Sequence, residues 1–509
     1  MSRRVGSAFV ITLAAQLIGN LQGLALLPIV IRSSGAATYG TYILVNLSVA
    51  QIIEVMTTGI AYRYTRKLVS AASFAERREL FEPQFNFQLL VFAAISVFLL
   101  VIGPPIDRLL EAAGLYIDPR LLIALVAANL LEQQVLMYYR CTLRMIPFNI
   151  VIGGRVLVFL SALGGFTLLN GSLSLDQLFT IRILSGVLVN LPFAIGMLRE
   201  IGLPRLTLPV RAIARDIRAG LALTFDMIVD FILGSGDRYL ITLFLSVTDV
   251  GRYQPAYQLA SVVLFWPRLV VTVLSPMVLR LIDAGNRVEA ERIVDTALSL
   301  FLMMGVPFVV GSLMMGPSII LVLTNADVAE AGRWVTPFVA AGVLLFGTFW
   351  ILNTICIGLN RPRLILIADV KGAVANFALN VALLPLFKSI TVPAIATFVG
   401  YGVSAGALVL ALRPLWRLHL EWGAIMRFVA AASAMGAALW LLGFRPGEVA
   451  PVGLIRVTAV ALAGVVVYFG VLNLLGGFGR RQWQEIRGLI GSQAPDTGSA
   501  DDIGTLNRS

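Results

Sequence analysis

The sequence predicts an all-α integral membrane protein with about fourteen transmembrane helices. They form two parallel six-helix lobes around a central cavity, with two further helices at the C-terminal end. Three observations carry this. Of 509 residues, 58% are hydrophobic and 13% charged, whereas a soluble domain holds roughly 45–50% apolar and about 25% charged residues. Mean hydropathy is +0.88. Apolar runs of membrane-crossing length, about 20 residues, recur along the chain to residue 475.

The first run opens the chain, in MSRRVGSAFVITLAAQLIGNLQGLALLPIVI. It is too long for a signal-peptide core and lacks a small-residue cleavage site, so it reads as a first membrane helix. The spans are expected near 7–31, 39–62, 85–103, 119–139, 148–169, 177–198, 219–245, 253–279, 296–323, 334–358, 364–387, 390–412, 426–443 and 453–475. Lys and Arg collect on the cytoplasmic side of inserted helices. With the N-terminus inside, 26 of the 39 basic residues fall on inner connections and tails and 7 on outer ones. Both termini are therefore expected in the cytoplasm of a multi-pass plasma (inner) membrane protein. That asymmetry also accounts for most of the +11 net charge, so the charge is not read as nucleic-acid binding.

No connection is long enough for a soluble domain. The division expected is a six-helix lobe at 1–205, a second at 206–412, two added helices at 413–475 and a tail at 476–509. That tail is read as a short interfacial helix followed by disorder. Two cysteines, Cys141 and Cys356, and one histidine, His419, provide no metal-ligand spacing, and no metal or cofactor is expected. His419 is placed on a wet basic connection.

The two lobes are related by an internal match. LPIVIRSSGAATYGTYILVNLSVA at 27–50 and RYLITLFLSVTDVGRYQPAYQLAS at 238–261 align at an offset of 211, which pairs Gly40 with Gly251, Tyr42 with Tyr253 and Ala50 with Ser261. Each copy reads as a long helix, a short outer turn ending in Gly-x-Tyr, and a second helix. Six spans is an even number, so the copies keep the same orientation, as parallel transporter repeats do.

SGDRYLITLFLSVTDVGRYQPAYQLA resembles the junction of the seventh and eighth helices in the polysaccharide-flippase branch of the multidrug/oligosaccharidyl-lipid/polysaccharide exporter superfamily. LLPIVIRSSGAATYGTYIL resembles the equivalent region of the first repeat. ILNTICIGLNRPRLILIADVKGAVANFALNVALLP resembles the region of the tenth and eleventh helices. The resemblance covers most of 1–412. It implies two six-helix bundles and movement of a lipid-linked glycan, such as an undecaprenyl-pyrophosphate oligosaccharide, from the inner to the outer leaflet for cell-surface polysaccharide synthesis. Its expected partners are that lipid-linked oligosaccharide, membrane lipids, and the polymerase and glycosyltransferases of the same synthesis.

Ionisable groups inside spans are costly and usually face a cavity or pair with one another. In the seventh span Asp230 lies about 40° and Asp237 about 20° around the helix from Asp226, so the three carboxylates share a stripe. Arg238 points about 100° from Asp237 and is not expected to stack on it as a simple ion pair. Gly234 and Gly236 mark an expected bend. Asp226 and Asp230 are candidates for cation coupling or gating, whereas Asp237 and Arg238 read as an architectural, family-like pair. Arg268, in VVLFWPRLVVTV, sits too deep to snorkel and is the leading ligand for a pyrophosphate headgroup, which guanidinium binds bidentately. Arg155 is a second candidate for that role. Glu54 and Glu132 join the coupling candidates, either in a network with Arg155 or hydrogen-bonded to Gln51 or Gln133. Arg182 and Arg456 are expected to snorkel to the outer surface. Asp369 and Lys371 lie on different faces of one helix.

Two other functions compete. A multidrug or cation antiporter of the same superfamily would prefer an acidic, aromatic-lined cavity, and mid-span arginines count against it. A membrane glycosyltransferase or ligase would need a base on a sizeable outer loop. The outer carboxylates form no compelling pair, and no catalytic residue is assigned.

Overall fold

A computed structural model describes residues 2–68, 73–112, 117–205, 210–419 and 421–477. Their regular structure is helical: α1 (Ser2–Leu68), α2 (Phe74–Ala112), α3 (Pro119–Cys141), α4 (Met145–Asn170), α5 (Leu175–Ile201), α6 (Val210–Phe244), α7 (Val247–Ser261), a 3₁₀ turn (Val262–Leu264), α8 (Phe265–Asp283), α9 (Arg287–Leu323), α10 (Ala326–Ala331), α11 (Val335–Gly358), α12 (Arg363–Phe387), α13 (Thr391–Leu412), α14 (Trp422–Leu441) and α15 (Leu454–Leu474). Eleven helices among the described residues are long and apolar enough to cross a membrane. One of them, the α1 stretch Leu17–Val55, overlaps two expected crossings, 7–31 and 39–62. The seventh and eighth expected crossings correspond to α6 and to α7–α8. The tail expected to be interfacial and disordered lies outside the described residues from 478 onward.

Local chemistry explains the breaks. α1 is interrupted at Gly35, whose φ of 81° and ψ of 173° suit a residue without Cβ. The offset of 211 places Gly35 on Ser246, and Ser246 caps α7 by accepting from the backbone N–H of Asp249. The turn in each repeat therefore precedes Gly40 and Gly251 by a helical turn or more. The expected turn ending in Gly-x-Tyr is corrected: both glycines lie inside helices.

Their placement explains why they are glycines. A Cβ on Gly40 would lie 2.1 Å from the carbonyl oxygen of Val247, and one on Gly251 would lie 1.8 Å from that of Ala36. The same offset pairs Ala36 with Val247. The contact is thus reciprocal between repeat-related residues, as at a two-fold interface, and it locks α1 against α7. Around it, Tyr39 donates to Gln258 at 3.0 Å, Ser48 and Tyr239 share a hydrogen bond of 2.7 Å, and Arg32 Nε donates to the Thr324 carbonyl at 3.0 Å. The lobes are closed at the Gly35 end.

The first lobe packs α1 on α4 and α3 on α5; the second packs α12 on α13 and α6, and α11 on α13, α9 and α8. The seam is formed by α1 against α6 and α7. α14 and α15 pack on each other and on α9, around Phe428, Met435, Leu439, Tyr468 and Leu472.

Candidate functional site

Beyond the seam, α1 and the α7–α8 region enclose a cavity of about 310 Å³. Leu17 and Leu21 line one side; Gln254, Tyr257, Gln258, Trp266 and Arg268 line the other. The α7–α8 break is set by Pro267, which has no N–H to donate to the Val263 carbonyl and crowds it. The chain tightens into a 3₁₀ turn at Val262–Leu264, and Arg268 follows on the resumed helix. Arg268 is exposed, with its guanidinium carbon 5.0 Å from the Trp350 ring centroid. That stacking, worth about 0.5–2 kcal/mol, holds the guanidinium at the cavity.

Next to this wall lies a fully buried knot. Arg238 Nη1 donates to Asp237 Oδ1 at 2.5 Å, and Arg238 Nε donates to Gln254 at 3.0 Å. Tyr253 donates to the other Asp237 oxygen. The Arg238 guanidinium lies 3.8 Å from the Tyr257 ring centroid, and Tyr257 shares a hydrogen bond with Tyr401 at 3.2 Å. The expectation that Arg238 would not stack on Asp237 as a simple ion pair is therefore corrected. The arginine side chain is long enough to fold back along the helix, where Nη1 also reaches the Gly234 carbonyl at 2.6 Å. α6 continues through Gly234 and Gly236 without a break.

The first lobe holds a second charge cluster. Arg155 Nε lies 3.1 Å from Glu132 Oε1, and Arg182 Nη2 lies 3.9 Å from Glu132 Oε2. Arg182 also lies beside Tyr42 and sits 6.0 Å from the Phe159 ring centroid. Arg155 Nη2 donates to Gln22 of α1 at 3.5 Å. The expectation that Arg182 snorkels is thus corrected: only 8% of the residue is exposed, because Glu132 and Tyr42 give it partners inside the bundle.

The other sequence candidates are not gathered in these clusters. Asp230 and Glu54 are exposed on α6 and α1. The side chain of Asp226 lies outside the described residues. With Asp237 buried and Asp230 exposed, the expected stripe does not share one environment. Arg456 is exposed and donates to the Leu442 carbonyl at 3.4 Å. Asp369 is buried and Lys371 exposed. His419 is exposed beside Asp295, at 3.5 Å.

Sequence reasoning passed over the uncharged members: Tyr42, Tyr257, Tyr401 and a buried step from Asn376 to Thr397 at 3.4 Å joining α12 to α13. Tyrosine and asparagine inside apolar spans were the available signal, since each carries polar atoms that need partners there.

A model of the polysaccharide biosynthesis protein family matches residues 42–327, more than half of the chain. The chain belongs to this family. It is 26% identical over 260 residues to a probable flippase, AglR, of Haloferax volcanii, covering 50% of this chain and 53% of the relative. A second relative from the same organism, the probable low-salt glycan biosynthesis flippase Agl15, is 23% identical and covers 33% of this chain and 35% of that protein. The chain thus spans about half or less of the length of these curated relatives.

Among solved structures, the lipid II flippase MurJ in an inward closed conformation superposes with a TM-score of 0.72 at 13% identity, over 92% of this chain and 98% of that one. An inward-facing multidrug resistance MATE transporter superposes at 0.55 with 14% identity, over 85% and 99%. These likenesses show that the chain shares the all-helical fold of MurJ and of the MATE transporter. The molecule is a multi-pass membrane protein.

Proposed function

We propose that this protein flips a lipid-linked oligosaccharide, carried on undecaprenyl pyrophosphate, from the inner to the outer leaflet of the plasma (inner) membrane for cell-surface polysaccharide synthesis. One observation carries the reading: Arg268 presents a guanidinium to a cavity at the seam of two six-helix lobes. A pyrophosphate is the headgroup such a cation binds best, and Arg155 is the second proposed contact. Family membership and the relatives' names as flippases support the same reading.

In this account the lobes at 1–205 and 206–412 rock against one another at the α1–α7 crossing. The helices of 413–475 travel with α9, and the tail at 476–509 stays cytoplasmic, as does the N-terminus. Asp226, Asp230, Glu54 and Glu132 supply the carboxylates through which a cation gradient or membrane potential drives the cycle. Asp237 and Arg238 hold the second lobe together. Glycosyltransferases supply the substrate and a polymerase consumes it. The arginine at the cavity disfavours the antiporter reading, because it repels the cations an antiporter exports.

The test is translocation of a lipid-linked glycan in inverted membrane vesicles containing or lacking the protein. Translocation falls in the depleted vesicles and, by about tenfold or more, with Arg268→Ala at unchanged protein level, as expected for losing a charge-assisted contact. Equal rates with and without the protein would overturn the reading. Unimpaired transport by Arg268→Ala would remove that residue from the headgroup site.

A further inference from the structure

We infer that Glu132 is a stand-in for the substrate's phosphate: it occupies Arg155 and Arg182 when the site is empty and yields them to the pyrophosphate. The inference rests on the reading above that the ligand is a polyprenyl pyrophosphate, and it adds Arg182 and Glu132 to the binding machinery.

Three observations carry it. The cluster is unbalanced. Glu132 touches both guanidiniums, at 3.1 and 3.9 Å, and among the described residues it is the one carboxylate that pairs with either. Two arginines facing one carboxylate leave a net positive charge inside a lobe, where an uncompensated ion is costly. An arriving anion with two or more charges removes that excess.

Next, the geometry at Glu132 is asymmetric. One contact is close and the other loose, as when one carboxylate spans two forks that a larger, doubly charged group would fill better.

Finally, the cluster lies beside the cavity. Arg155 reaches Gln22 at 3.5 Å. The neighbour on one side, Leu21, lines the cavity that holds Arg268. On the other side, a Cβ at Gly23 would run into the Gln258 amide, and Gln258 lines the same cavity. Arg155 therefore contacts the same stretch of α1 that borders the cavity holding Arg268.

The exchange predicts a sign that a purely structural ion pair does not. Removing the glutamate's charge removes a competitor, so anion binding tightens. Removing a structural counter-charge disrupts the lobe, so binding weakens.

The experiment uses the full-length protein in phosphatidylcholine nanodiscs. Binding of undecaprenyl pyrophosphate is measured, with uncharged undecaprenol as control. Glu132→Gln is expected to bind the pyrophosphate about tenfold tighter, the size of one lost charge-assisted contact. Arg182→Gln is expected to bind it about tenfold more weakly, with partial recovery in Arg182→Lys. Undecaprenol binding is expected to stay the same in all three. Glu132→Asp, too short to span both arginines, should fall between wild type and Glu132→Gln, and it serves if Glu132→Gln does not fold. Unchanged or weaker pyrophosphate binding by the folded Glu132 variants overturns the inference, and so does failure of both to fold. Tighter binding by Glu132→Gln alongside absent translocation by the wild-type protein would sink the flippase reading while leaving the site intact.

Discussion

In the second lobe one carboxylate meets one guanidinium. Asp237 and Arg238 are each 2% exposed, and Tyr253, Gln254 and the Gly234 carbonyl hydrogen-bond them. In the first lobe one carboxylate, Glu132, is shared by two guanidiniums, with Tyr42 and Gln22 beside them. Balanced charge marks the second-lobe knot as scaffold, because there is no charge left for a ligand to satisfy. Excess charge and a loose contact mark the first-lobe cluster as a place where something else binds.

The largest expected effect breaks the balanced knot. Asp237→Ala leaves Arg238 buried without its counter-ion and should cost about 3–5 kcal/mol, seen as a large drop in the unfolding temperature of the purified protein. Replacing both, Asp237→Leu with Arg238→Met, should recover much of that loss. A single variant as stable as wild type would contradict the scaffold role.

The seam comes next. Gly40→Leu and Gly251→Leu each drive a side chain into the facing backbone, at a cost of about 1–3 kcal/mol or more. Reciprocity predicts similar losses for the two in the same unfolding assay. A loss at one glycine alone would show that the contact is not two-fold in character.

A smaller effect sharpens the comparison. Without ligand, Arg182→Gln leaves a one-to-one pair of Glu132 and Arg155. Its unfolding free energy should stay within about 1 kcal/mol of wild type or rise, since an uncompensated charge is removed. A loss as large as that of Asp237→Ala would make the two clusters equivalent. The smallest effect belongs to the surface. Arg252→Ala removes a partly exposed contact to Asp327 of 2.9 Å and should change stability by under about 1 kcal/mol. A larger fall would show that this pair anchors α10 on α7.

Much of the fold was legible because the bilayer imposes a length and a composition on each crossing. The repeat was legible as Gly40 over Gly251, although only the structure shows that these residues touch each other. What the sequence hid was mostly reach. Rotation about a helix axis separates Arg238 from Asp237 by about 100°, but a side chain that long is not confined to its own radial direction. Arg182 was assigned to the surface by its nearness to a helix end. Its burial follows from Glu132 and Tyr42 on other helices, and no spacing along α5 reports them. Arg268 was more readable, since Pro267 and the depth of the span are both local features.

The central claim is that the seam cavity and its arginines carry a lipid-linked glycan across the bilayer. The most direct measurement reconstitutes the purified protein in liposomes loaded with a fluorescent undecaprenyl-pyrophosphate oligosaccharide. A membrane-impermeant quencher, with a membrane potential imposed, then follows the headgroup between leaflets. The account predicts leaflet exchange well above that of protein-free liposomes, lowered about tenfold or more by Arg268→Ala. Exchange equal to that of protein-free liposomes would contradict it.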